Sequence, residues 1–266
     1  MPICTLHLLS LTKTTNIQSF LRQLQQSAKI ILASRPRHIV IHPTILDNNP
    51  LATKNWDLLL LLESKPNTQD PIPNNLREAI TSEYKITTGI PSKLIQSYPS
   101  RNETLQKKST SIPLTGSLNK FLEGGSKSTS QNLEISPSLL SFMEDLSKTH
   151  SGPVTMLNLL HFHQPNGKAR YYQYGQAFIP VAGKRGGDAK LVGNVVAPQM
   201  QDGAPGSEGW NEISLVHYPS IRHFCDMLAG DDYQAINEKY RLSALRDTFL
   251  LCTTEINFDD MSSSKL

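Results

Sequence analysis

Pro153-Val-Thr-Met-Leu-Asn-Leu-Leu-His-Phe-His163 is the stretch on which the reading of the chain turns. It is too short and too uniformly apolar for a surface helix, so it reads as a strand covered on both faces, and it ends in polar groups where an apolar run would continue. Alternation sends Met156, Asn158, Leu160 and Phe162 to one face and Leu157, Leu159, His161 and His163 to the other. Such a strand needs a partner on each edge and cover on each face. The remaining sequence is therefore expected to curl around it as a barrel, which also leaves no free sheet edge.

Working outward, Ser136-Pro137 caps and opens a helix with Leu139, Leu140, Met143 and Leu146 on one face. Beyond the central strand, Tyr171, Tyr174, Phe178 and Val181 share a helical face that Gly183-Lys-Arg-Gly-Gly187 ends. A strand is expected over residues 189–197 and another over 210–218. Pro219-Ser220 then opens a helix that restarts at Asp231-Asp232, and a last strand follows over 249–256. Strand, helix, strand, strand, helix, strand is the order of a ferredoxin-like unit.

The first half reads as a degenerate copy. A strand over residues 3–11 leads through Asn16 into a helix carrying Ile17, Phe20, Leu21, Leu24 and Ala28. Strands over 38–46 and 56–63 follow, then a helix from 75 to about 88, stopped by Gly89. Trp56 and Trp210, the two tryptophans of the chain, each open a third strand. The expected fold class is α+β, two ferredoxin-like repeats forming an intramolecular dimeric α+β barrel. Its divisions are residues 1–99, a flexible Ser/Thr/Lys-rich linker over 100–135 with apolar docking spots at Leu114, Leu118 and Phe121-Leu122, a second repeat with its leading helix over 136–258, and a tail over 259–266.

The second half also carries a resemblance. Met156-Leu-Asn-Leu-Leu-His-Phe162, Tyr171-Tyr-Gln-Tyr-Gly175, Gly186-Gly187, Trp210 through Val216-His-Tyr-Pro-Ser220, and Asp232-Tyr-Gln234 ahead of Arg241 resemble the bacterial domain-of-unknown-function family thirteen-thirty, within the dimeric α+β barrel superfamily. The resemblance covers residues 153–256. Members usually pair two identical chains, so it implies a monomeric pseudo-dimer or a homo-oligomer. The superfamily includes cofactor-free monooxygenases of aromatic polyketides, cyclases, lactone isomerases, haem enzymes and stress proteins. Shared fold alone transfers none of these activities.

With 26 Lys+Arg against 23 Asp+Glu and no block of like charges, no nucleic-acid or membrane-surface partner is expected. No apolar run approaches the length of a membrane span. The N-terminus shows no secretory signal, and Cys4, Cys225 and Cys252 lie in apolar runs without CxxC spacing, as reduced core thiols do. Ser264-Lys265-Leu266 is the tripeptide that import receptors read as a peroxisomal address, so a peroxisomal location and that receptor as partner are expected.

The chemistry-bearing candidates follow from alternation. Asn158 among apolar neighbours must pair with a ligand or with a neighbouring element. Glu212 shares a face with Trp210, Ser214 and Val216; it is a base of raised pKa or an ordinary paired carboxylate. His161 and His163 share a side but lack a third ligand at motif spacing, so they and His217 are expected at the rim as proton-transfer groups rather than as metal ligands. Tyr171, Tyr174, Phe178, Tyr233 and Tyr240 supply aromatic surface for a core or a pocket, and Arg241 is a counter-ion or an exposed helix arginine. No nucleotide loop or nucleophile elbow is present, so no cofactor is expected. The expected ligand is a hydrophobic carbonyl compound, and the expected activity is that of an isomerase, cyclase or cofactor-free oxygenase. A non-catalytic ligand-binding or stress-associated barrel is the alternative.

Overall fold

The computed structural model describes residues 1–64, 70–124, 135–196 and 209–257; the tail with Ser264, Lys265 and Leu266 lies outside the described residues. The elements run β1 (Ile3–Leu11), α1 (Ile17–Gln25), β2 (Lys29–Ile41), α2 (Asn48–Thr53), β3 (Leu58–Glu63), α3 (Asn74–Arg77), β4 (Ile80–Gly89), α4 (Ser92–Lys108), α5 (Ser117–Gly124) and α6 (Pro137–Thr149). They continue with β5 (Val154–Phe162), α7 (Gly167–Gly183), β6 (Asp188–Val195), β7 (Glu212–Tyr218), α8 (Ile221–Leu228), α9 (Asp231–Ile236), α10 (Leu242–Ala244) and β8 (Leu245–Glu255). Between α9 and α10 the chain makes a π-helical turn, Asn237–Arg241.

The strands form one closed antiparallel barrel of eight, in the order β1-β3-β2-β8-β5-β7-β6-β4. This corrects the expected α+β pair of ferredoxin-like repeats: a single continuous barrel with helices around it replaces two sheets set against each other. Two findings carry the correction. Residues 75–88, expected as a helix, hold only the end of the short α3 and then β4, which pairs with β1 from Leu11↔Ile80 to Ile3↔Gly89. Pro73 and Gly89 resemble helix punctuation, but the β-branched Ile80, Thr81, Ile86, Thr87 and Thr88 favour a pleated strand and protect the edge of β1. The edges at which two sheets would end are also bonded to each other. β2 runs along β8 from Ser34↔Glu255 to Ile41↔Leu250, with its register shifting after Pro36, which has no N–H to give the ladder. β4 meets β6 at Thr88↔Val195 and Gly89↔Asn194. At this short seam, any side chain on Gly193 would collide with Thr88 and Ile90.

β5 lies between β7 and β8 and is buried at every position, as its unbroken apolar run requires. One face of the barrel wall fills the lumen with Leu6, Leu8, Leu59, Leu61, Leu157, Leu159, Ile213, Leu215, Phe249 and Leu251. The outer face packs under α1 on one side of the molecule and under α6, α7 and α8 on the other. One end of the lumen is polar. Buried Lys190 is ion-paired with Glu255 and donates at 3.0 Å to both Thr155 Oγ1 and Asn102 Oδ1, the latter on α4. Cys4, Cys225 and Cys252 are free thiols in the core. Among the described residues no helix is long and apolar enough to cross a membrane.

The expected linker over 100–135 is also corrected where it is described. Its residues continue α4 to Lys108 and form α5, which docks through buried Leu118. Asp226 on α8 fixes this segment by accepting from Thr115 N at 2.8 Å and Leu118 N at 3.0 Å.

Candidate functional site

The sheet under α7 presents three transverse rows of side chains on its outer face. Cys252, Met156 and Val216 form one row, and Leu250, Asn158, Ser214 and Val192 the next. Thr248, Leu160, Glu212 and Asn194 form the third. Above them α7 lowers Tyr171, Tyr174 and Phe178, while α8 and α9 contribute Phe224, Met227 and Tyr233. Sheet and helices do not close fully on each other and leave a cavity of about 480 Å³, within the range of small-molecule sites. Tyr172 and Ile179 on α7 belong to the lining and are 69% and 63% exposed, so the cavity opens to solvent along this helix.

The cavity is apolar except at a few points. Asn158 Nδ2 donates to Met156 O at 3.3 Å, and its amide oxygen has no partner among the described residues. Glu212 has neither a hydrogen bond nor an ion pair there. Burial raises its pKa above the ordinary carboxylate value; Lys168 opposes this from the cavity mouth, where it donates to Asn194 Oδ1 at 2.7 Å. Tyr174 donates to Tyr233 at 3.3 Å, and burial raises the pKa of both phenols. Arg241 arrives from the π-helical turn, a distortion frequent at functional sites, and is buried at the cavity wall.

Asn158, Glu212, Tyr174, Tyr233 and Arg241 are thus brought together along one cavity. His161 and His217 are not. Both occupy the opposite, lumen-facing side of their strands, His161 with Nδ1 at 2.9 Å from Gly209 O. His217 is buried beside Lys190, and its pKa is pushed down to about 3 by burial and by that ammonium. The expectation of rim histidines serving the pocket is therefore corrected: a face reversed by one residue separates them from it. His163 is exposed. Trp210 departs from the Glu212 face as well, packing toward the lumen and donating to Tyr84 Oη at 2.9 Å. Among the described residues no group of three His, Cys, Asp or Glu is placed to hold a metal ion.

No family model matches the chain, and no curated protein does. Two similar solved structures are of a protein of unknown function from Rhodopseudomonas palustris. One is 25% identical, covering 47% of this chain and 98% of its own, with a TM-score of 0.37. The other, of the methylated protein, is 22% identical and covers 47% and 95%, again at 0.37.

Sequence reasoning does not place the cavity under α7, and it names Tyr171 and Ser214 without giving either a role beside Arg241, Glu212 or Asn158. Tyr171 stands within electrostatic reach of both Arg241 and Glu212, and Ser214 lies on the floor beside Asn158. Ser214 was already on the Glu212 face by alternation. The signal for Tyr171 was its helical spacing from Tyr174 and Phe178.

Proposed function

We propose that the chain is a small-molecule enzyme that moves a proton on a hydrophobic carbonyl compound held between α7 and the sheet. The observation that carries this reading is Glu212, a half-buried carboxylate of raised pKa with no hydrogen-bond partner among the described residues, opening on the same apolar cavity as Asn158. Glu212 takes the proton from the carbon next to the substrate carbonyl, and the C–H electron pair becomes the enolate. The second N–H of Asn158 and the Ser214 hydroxyl are the neutral donors available to the developing oxyanion. Return of the proton to a different carbon completes an isomerisation. Attack of the enolate carbon on a second carbonyl of the same molecule closes a ring, the attacked carbonyl's oxygen becoming an alkoxide that takes the proton back from Glu212.

The test is exchange of the α-protons of 2-tetralone, an apolar cyclic ketone, followed by proton NMR in D2O. The parent is expected to accelerate exchange and Glu212→Gln to abolish the acceleration. Because burial raises the pKa of Glu212, its charge opposes folding as pH rises through that value, so the variant should melt no lower than the parent at pH 7. Undiminished exchange in Glu212→Gln sinks the assignment. A parent that binds such ketones without exchanging their protons supports the non-catalytic alternative instead. A peroxisomal location is a separate proposal resting on Ser264-Lys265-Leu266. A fluorescent fusion carrying the intact tail tests it, and a cytosolic signal overturns it.

A further inference from the structure

Among the described residues three cations of Lys and Arg type are buried: Arg185, Lys190 and Arg241. Burying such a charge is tolerated when an anion accompanies it. Arg185 follows the rule, donating to both carboxylate oxygens of Asp232 at 3.0 and 3.2 Å and standing 3.6 Å from Asp226. Lys190 follows it too, through Glu255. Arg241 does not. It is 2% exposed, has no carboxylate within ion-pair distance among the described residues, and leaves Nη2 without a hydrogen-bond partner. Its guanidinium lies at the wall of the cavity under α7.

Tyr233 adds a donor at the same place. Its hydroxyl oxygen accepts from Tyr174, which leaves its own O–H free to donate, and no acceptor for it is present among the described residues. A planar guanidinium and a phenol O–H, facing a mostly apolar cavity, are the complement of a carboxylate. One uncompensated positive charge balances one negative charge. A phosphate dianion would leave a buried charge unmatched.

We infer that the ligand of this cavity is an apolar monocarboxylic acid whose carboxylate is held by Arg241 and Tyr233. This rests on the reading of the cavity as a small-molecule site and narrows its substrates to hydrophobic keto acids, anchored at Arg241 and reacting toward Glu212. Tyr171 stands within electrostatic reach of both ends.

The experiment compares 2-naphthoate with its neutral counterpart 2-naphthamide by calorimetry, on the full chain and on Arg241→Gln. The parent is expected to bind the acid about tenfold more tightly than the amide. Arg241→Gln should bind both alike while melting no lower than the parent, since it gives up a buried charge and breaks no ion pair among the described residues. Arg241→Lys, which keeps the charge without the planar fork, should retain a reduced preference. It also provides the comparison if Arg241→Gln does not fold. Equal affinities in the parent, or a preference for the acid that survives Arg241→Gln, overturn the carboxylate inference and leave the cavity reading standing. Failure of the parent to bind either compound overturns both.

Discussion

His217 sits at the polar end of the lumen, with Nε2 3.5 Å from Ser109 Oγ and Nδ1 lacking a partner among the described residues. Burial first, and then Lys190, push its folded-state pKa down to about 3, with Glu255 opposing and His223 assisting. In the unfolded chain the ring titrates near 6.5. Between these values the unfolded state binds a proton that the native state does not. This contribution is therefore complete above about pH 6.5 and is lost as pH falls, at about 1.4 kcal/mol per pH unit. His7 is shifted in the same sense by burial, against the pull of Glu83. Glu83 adds a separate, lower window: burial opposes the shift, but His7 and Arg77 hold its pKa at about 2 against an ordinary 4.5. Urea unfolding at pH 6.5 and 4.5 should show His217→Gln losing about 2 to 3 kcal/mol less than the parent. Equal losses would show that His217 is protonated in the native state. Alternation alone divides Asn158, Glu212 and Ser214 from His161 and His217. It could not say which face met the cavity, because both faces of β5 and β7 are buried and only tertiary packing distinguishes lumen from helix layer.

At the scale of elements, α5 shows why composition misled. Ser, Thr, Lys and Asn dominate the stretch; Leu118 and Phe121-Leu122 offer apolar spots to dock, but so small an apolar surface gives it little local reason to be helical. Its position depends on a carboxylate 111 residues further along the chain: Asp226 accepts from the Thr115 backbone and hydroxyl and, 108 residues from it, the Leu118 N–H, while Arg185 lies on its other side. Asp226→Ala removes that anchor and leaves part of the Arg185 charge unmatched, with an expected loss of about 3 kcal/mol. Limited proteolysis should then cut within residues 112–124 well before the barrel is degraded. Cleavage at the parental rate would mean that Leu118 packing alone holds α5. The same limit applied to β4, whose edge pairing with β1 and β6 is not written in its local punctuation. Elements carried by strong periodicity fared better. α1, α6 and α7 follow their apolar spacing, with Asn16 accepting from Ser19 N and Ser136 from Leu139 N at the first two.

For the molecule as a whole, closure of the sheet makes a claim about cooperativity. β2 and β8 share a long seam, β4 and β6 a short one, and the lumen is filled from every side, so no part of the wall can open without exposing apolar residues contributed by the rest. The two tryptophans report on opposite sides of the ring. Trp56, before β3, donates to Leu51 O at 3.1 Å, and Trp210, before β7, reaches across to Tyr84 on β4. Single-tryptophan variants Trp56→Phe and Trp210→Phe thus follow the two sides separately. In each variant, urea unfolding monitored by fluorescence should coincide with unfolding monitored by far-UV circular dichroism, with one midpoint and one slope. Each substitution will lower stability somewhat, so the comparison that matters is between probes within a variant. Two halves held together only by packing would give fluorescence midpoints displaced from the circular dichroism midpoint, to opposite sides in the two variants. A continuous hydrogen-bonded wall leaves no seam at which that separation can begin without also uncovering the lumen.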